Sequence, residues 1–162
     1  MNQLTQKERM LLEDQKSHEE ICIKKYNDYA NQAQDPKLGQ LFRSLGQQEQ
    51  EHLNTINQML NGQVPNMNQQ SQQGGQNQQA NQGQNIQGGQ SMMKGSGSKK
   101  DADLCTDMLM TEKYVSGAYD TAIFEFRDAN IRQTLNHIQK EEQQHGESVF
   151  NYMQSNGLYK PQ

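Results

Sequence analysis

Residues 11–60 lie on residues 104–153 without a gap when the chain is shifted by 93 positions. Nine positions then carry the same residue: Leu11 and Leu104, Asp14 and Asp107, Glu19 and Glu112, Tyr26 and Tyr119, Asp35 and Asp128, Gln40 and Gln133, Glu49 and Glu142, Gln50 and Gln143, His52 and His145. Nine in fifty is modest for an internal repeat, but the identities are informatively placed. They include both Asp residues suited to starting a helix, and Glu, His and Tyr pairs that fall on the core side of the helices traced below. At 162 residues the chain has room for one ordinary domain or two very small ones.

The stretch between the two halves is of another kind. Residues 61–100 hold 12 Gln, 6 Asn and 8 Gly, only six apolar residues, and no Asp or Glu, so all 19 acidic residues lie in the flanks. Such a segment buries too little apolar surface to offset the entropy of ordering it, and it is expected to be a disordered linker. The chain therefore divides into 1–60, a linker over 61–100, and 101–162.

Both flanks read as helical hairpins. Thr5 with Glu8 three residues on forms a capping box for a helix over about 5–33. Asp35-Pro36 starts a second helix over about 36–60, which Asn61-Gly62 ends. Asp101 or Asp103 can cap a third helix over about 103–126, and Asp128 a fourth over about 129–155, stopping near Asn156-Gly157. The fold expected is all-α: a four-helix bundle of two antiparallel hairpins joined by a long disordered crossover, the ferritin-like connectivity. A linker of about 40 residues can return along helices that rise about 1.5 Å per residue.

A 3.6-residue period traces the inner stripe of each helix. The four stripes are Leu12, Gln15, Glu19, Cys22, Tyr26 and Ala30; Leu38, Phe42, Leu45, Glu49, His52, Ile56 and Met59; Cys105, Met108, Glu112, Val115, Tyr119, Ala122 and Phe126; and Ile131, Leu135, Ile138, Glu142, His145, Val149 and Tyr152. Each stripe is apolar above and below a central carboxylate. An unpaired carboxylate costs several kcal/mol to bury, and four at one level repel each other.

A divalent metal is the obvious compensation. Glu19 lies 16 residues before Asp35 and Glu49 lies 14 after it, so a hairpin brings them to nearly one height; Glu112 and Glu142 repeat the spacing about Asp128. His52 and His145 each stand three residues past a Glu, on the same helix face. One Glu from each of two helices with a Glu-x-x-His from each of the other two matches the ligand pattern of di-iron and di-manganese carboxylate bundles. Mixed carboxylate and imidazole donors suit iron or manganese, and four carboxylates balance two divalent cations. A lone Glu-x-x-His is a weak signal, and the alternative is that these residues are solvated helix charges in a Gln/Glu-rich sequence; two of them, each 30 residues after a core-facing Glu, make it a strong one. Tyr26 and Tyr119, two turns past Glu19 and Glu112, serve either as core packing or as hydrogen-bond donors to ligand carboxylates.

Other features exclude function classes. The net charge of −4 gives no basic footprint for nucleic acid, which also disfavours a DNA-binding mini-cage. No run approaches 18 apolar residues, so no membrane insertion is expected. The charged start by Lys7 and Glu8 leaves no apolar stretch for a secretory signal, so synthesis in the cytoplasm without a signal peptide is expected. Cys22 and Cys105 are not repeat partners and read as small core hydrophobes.

The blocks "MTEKYVSGAYDTAIFEF" and "LNHIQKEEQQHGE", with the stretch from "TQKERMLLEDQKSHEE" to "QEQEHLNTI", resemble the spore coat protein F family over about 110 of the 162 residues, linker excluded. The resemblance implies a ferritin-like fold and a place in the coat of bacterial endospores. Its implied partners are other coat proteins, with homo-oligomerisation left open. By resemblance to ferritin-like proteins, Glu49 and Glu142 would bridge two Fe or Mn ions, Glu19 with His52 completing one site and Glu112 with His145 the other. A structural role in coat assembly is the first functional expectation. A catalase-like or ferroxidase-like oxidoreductase protecting the spore from peroxide is the alternative, and enzyme status stays open.

Overall fold

The computed structural model describes residues 3–63 and 98–159. Four helices make up its regular structure: α1 (Gln6–Gln32), α2 (Pro36–Leu60), α3 (Lys99–Glu125) and α4 (Ala129–Ser155). Of the expected linker, residues 61–63 form the turn after α2 and residues 98–100 open α3. Residues 64–97, the rest of that expectation, lie outside the described residues.

Each start is fixed by a side-chain cap. Thr5 accepts from the Glu8 N–H while the Glu8 carboxylate takes the Thr5 N–H, the reciprocal pair expected for α1. Asp35 accepts from the Lys37 N–H ahead of α2, and Asp128 from those of Asn130 and Ile131 ahead of α4. The third start differs from expectation: α3 begins at Lys99, capped by Ser98, which accepts from the Asp101 N–H. Neither Asp101 nor Asp103 is the cap. The Asp101 carboxylate is turned to the other hairpin, where it accepts the N–H of Gln34 at 2.8 Å and of Asp35 at 3.0 Å. Ser98 and Asp101 lie on Thr5 and Glu8 under the same shift of 93. At the far ends, Gly62 and Gly157 take the left-handed conformation (φ 78° and 67°) that a side chain would strain.

The helices form an all-α four-helix bundle. Within each hairpin, α1 packs on α2 and α3 on α4; between hairpins, α1 lies against α3 and α2 against α4. Lys7 meets Glu125 and Lys25 meets Asp107, so α1 and α3 run antiparallel. Helices α2 and α3 thus sit on a diagonal, with α2 ending at the opposite end of the bundle from where α3 begins, the single-crossover connectivity of ferritin-like bundles. Gly39 and Gly46 let α2 close on α1: an added Cβ would stand 3.0 Å from the Ala30 carbonyl oxygen and 3.2 Å from Tyr26 Cβ. No helix among the described residues is long and apolar enough to cross a membrane.

Every residue of the traced stripes is buried except Tyr152, and Glu8, Gly39, Gly46, Asp101, Leu104 and Thr134 are buried beside them. Met153 takes the inner position expected of Tyr152, which is half-buried and donates its hydroxyl to Asp35. The core falls into two apolar clusters, one around Leu12, Ile56, Tyr119 and Leu135, the other around Tyr26, Phe42, Met108 and Val149. Cys22 and Cys105 are buried, unbridged members of one cluster each.

The hairpins are tied at their turns by a repeated device. Glu8, 3% exposed, accepts the Arg127 N–H at 3.0 Å and its guanidinium at 3.2 Å, as Asp101 holds the turn of the other hairpin. Burial pushes the Glu8 carboxyl up, but the donors of Arg127 and Thr5 outweigh it and hold it at about 2. Folding therefore favours its charged form, and that contribution is complete above about pH 4.5 and drains away toward pH 2. Glu8→Gln is expected to lower the melting temperature by several degrees at pH 7. The gap from the parent should narrow as thermal melts are repeated from pH 5 down to about 2.

Candidate metal centre

Between the two apolar clusters lies one polar layer. Glu19 on α1, Glu49 and His52 on α2, Glu112 on α3, and Glu142 and His145 on α4 are each between 0 and 3% exposed. All six expected residues meet there. Glu19, Glu49, His52 and Glu142 each bring a donor atom within 4.8 Å of the others, and so do Glu49, Glu112, Glu142 and His145. Glu49 and Glu142 are common to both groups, so the layer holds two ligand sets sharing two carboxylates.

The imidazoles stack with their centroids 5.5 Å apart and turn Nδ1 inward. His145 Nδ1 is 3.0 Å from Glu49; His52 Nδ1 is 3.1 Å from Glu49 and 3.0 Å from Glu142. Their outer nitrogens are also held: His52 Nε2 is 2.9 Å from Glu141 and His145 Nε2 3.0 Å from the Gln48 side-chain oxygen. Both outer partners are acceptors, so Nε2 carries a proton in either charge state, and a ring that gives up its second proton turns an Nδ1 lone pair to the carboxylates. Lone pair against anionic oxygen at 3 Å is repulsive unless a proton or a cation lies between them. Glu141 and Gln48 were not singled out from sequence, though they are repeat partners one residue before the cluster Glu of α4 and α2.

The tyrosines cross between hairpins. Tyr26 donates to Glu112 and Tyr119 to Glu19, both hydroxyls fully buried. The two rings also seal the layer against the apolar clusters on either side. His18 is half-buried, its ring edge-on to Tyr114, and His137 is exposed beside Glu141; neither joins the layer.

The layer is short of donors. Glu19 Oε2, Glu112 Oε2 and both Glu142 oxygens are buried without a hydrogen-bond partner, since His52 stands at ion-pair distance from Glu142 but out of hydrogen-bond alignment. Burial pushes Glu19 up to about 8 and Glu112 up to about 11, with the nearby Glu142 and Glu49 charges adding to it. Burial also opposes charge on Glu49 and Glu142, but the imidazoles outweigh it and keep both low. His145 is correspondingly raised to about 9 against its burial, and the carboxylates raise His52 well above the usual imidazole range.

Charge decides what the layer can accept. Without metal, two protonated carboxyls, two carboxylates and two imidazolium rings sum to zero. Four carboxylates, two neutral imidazoles and two divalent cations also sum to zero. The six residues therefore fit a pair of divalent ions: the unpartnered oxygens and inward lone pairs are the donors such ions take, and the hard oxygen and imidazole set suits iron or manganese. The thiols are excluded, with burial pushing Cys105 up to about 12 and Cys22 higher still.

Residues 100–162 match the Coat F domain family, a match that takes in α3 and α4 with Glu112, Glu142 and His145. No curated protein and no solved structure matches the chain.

Tyr26→Phe or Tyr119→Phe removes the one donor to a buried carboxylate oxygen. Each should cost about 1–3 kcal/mol in urea denaturation of the metal-free protein.

Proposed function

We propose, from the match of residues 100–162 to the Coat F domain, that this is a coat protein of the endospore whose bundle carries a dinuclear divalent-metal centre in its core. The observation that carries the metal reading is the sharing of Glu49 and Glu142 by two buried ligand sets with unpartnered oxygens. Glu19 and His52 would complete one set, Glu112 and His145 the other. The role proposed is structural: the six residues would exchange protons for metal, which would fix the four helices at one level and harden the bundle, in a coat built with other coat proteins. When bound, a pair of redox-active ions of this kind can also support two-electron chemistry on dioxygen or peroxide.

The residues around the centre divide the work. Glu49 with His145 and Glu142 with His52 tie α2 to α4. Tyr26 and Tyr119 orient the carboxylates of the opposite hairpin, and Glu141 and Gln48 fix the imidazoles with Nδ1 inward. Apolar clusters on both sides keep bulk water from the layer.

Protein purified without chelator should contain about two Fe or Mn per chain by elemental analysis. Glu49→Ala combined with Glu142→Ala should abolish binding. Metal without peroxide decay supports the structural role, sustained peroxide turnover moves the reading to an oxidoreductase, and metal-free protein contradicts the centre.

Added Mn(II) at about 100 times its Kd should stabilise the chain by about 2.7 kcal/mol for each ion bound in thermal melts, with protons released as it binds. Glu112→Gln should lose the share of that response owed to the Glu112 and His145 set while the metal-free form melts close to the parent, because burial keeps Glu112 protonated there.

A further inference from the structure

Among the described residues, two surface clefts end differently. Between α1 and α3, a cleft of about 270 Å³ ends on Cys22 and Val115 and touches none of the six cluster residues. Between α3 and α4, a cleft of about 290 Å³ is lined by Leu109, Ser116 and Gly146, with exposed Lys113 and Gln143 at its rim and buried Glu112 and Glu142 at its floor. The same two residues own Glu112 Oε2 and both Glu142 oxygens, which are buried without hydrogen-bond partners.

The repeat shows what makes this side differ from the other. Under the shift of 93, Gly146 lies on Leu53, Ser116 on Ile23 and Lys113 on Glu20. The first hairpin thus carries two bulky, half-buried apolar side chains where the second has a glycine and a serine. Packing does not require the glycine: an added Cβ at 146 would come no nearer than 3.9 Å to Glu112 Cβ and 4.0 Å to Leu109 Cδ2. At Gly46, by contrast, it would stand 3.2 Å from Tyr26. A mid-helix glycine weakens its helix, and the space that Gly146 leaves lies against the ligand Glu112.

Resting on the reading of the layer as a metal centre, we infer that the α3–α4 cleft is the port by which a divalent cation reaches it. The ion passes Gly146 and Ser116 and meets the free oxygens of Glu112 and Glu142 first, so the set of Glu112 and His145 fills before that of Glu19 and His52. Lys113 at the rim repels the incoming cation and sets the rate, not the final occupancy.

The test is stopped-flow loading of the full-length, metal-free chain with Co(II) alone, read by its visible absorbance and by cobalt content at the end point. Gly146→Leu, which copies Leu53, should slow loading several-fold and reach the parent's end point. Lys113→Glu, which copies Glu20, should speed loading by about tenfold at low ionic strength, with the gain shrinking as salt is added. Either rate change supports the port, and Lys113→Glu decides the matter if Gly146→Leu does not fold. Parent-like rates in every folded variant overturn the port and leave the metal centre standing. A parent chain that takes up no cobalt overturns the centre and the port with it.

Discussion

Four carboxylates and two imidazoles in one dry layer are the constraint that the rest of this fold answers to. Charge in a low-dielectric interior is tolerable only when neutralised and hydrogen-bonded. Glu19, Glu49, Glu112 and Glu142 are therefore met by His52, His145 and the crossed tyrosine hydroxyls, and four of their oxygens still lack a partner. An apolar core of the same volume would make a more stable bundle. The layer makes sense as a site that exchanges protons for cations at constant charge.

That demand explains the symmetry. Each candidate set takes three residues from one hairpin and one from the other, since Glu49 and Glu142 serve both, and each Tyr serves the opposite hairpin's carboxylate. Neither hairpin can complete a set alone. The ties at the turns, Glu8 on Arg127 and Asp101 on Gln34 and Asp35, fix the height of one hairpin against the other. The halves are not equivalent, however: the outer partner of His52 is the Glu141 carboxylate, whereas that of His145 is the neutral Gln48.

Much of this was legible in the sequence because helices report themselves through period and caps. The spacing of 16 residues before and 14 after a helix-starting Asp set the height of each Glu, and the repeat checked it twice. What escaped was tertiary. Asp101 offers a cap chemically, but its carboxylate goes to the other hairpin, and only the pairing of Ser98 with Thr5 under the repeat points to the true cap. Tyr152 and Met153 are neighbours at the edge of one stripe, and a hydroxyl partner on Asp35 decides which stays outside. Glu141 and Gln48 look like solvated polar residues until the imidazole rings are placed.

The most direct test of the central claim is anomalous diffraction from crystals of the Mn(II)-loaded chain. The account predicts two manganese peaks in the layer, both ligated by Glu49 and Glu142, one also by His52 Nδ1 and the other by His145 Nδ1. A structure with the layer free of anomalous density, and its carboxylates bound only to protons and water, would contradict it.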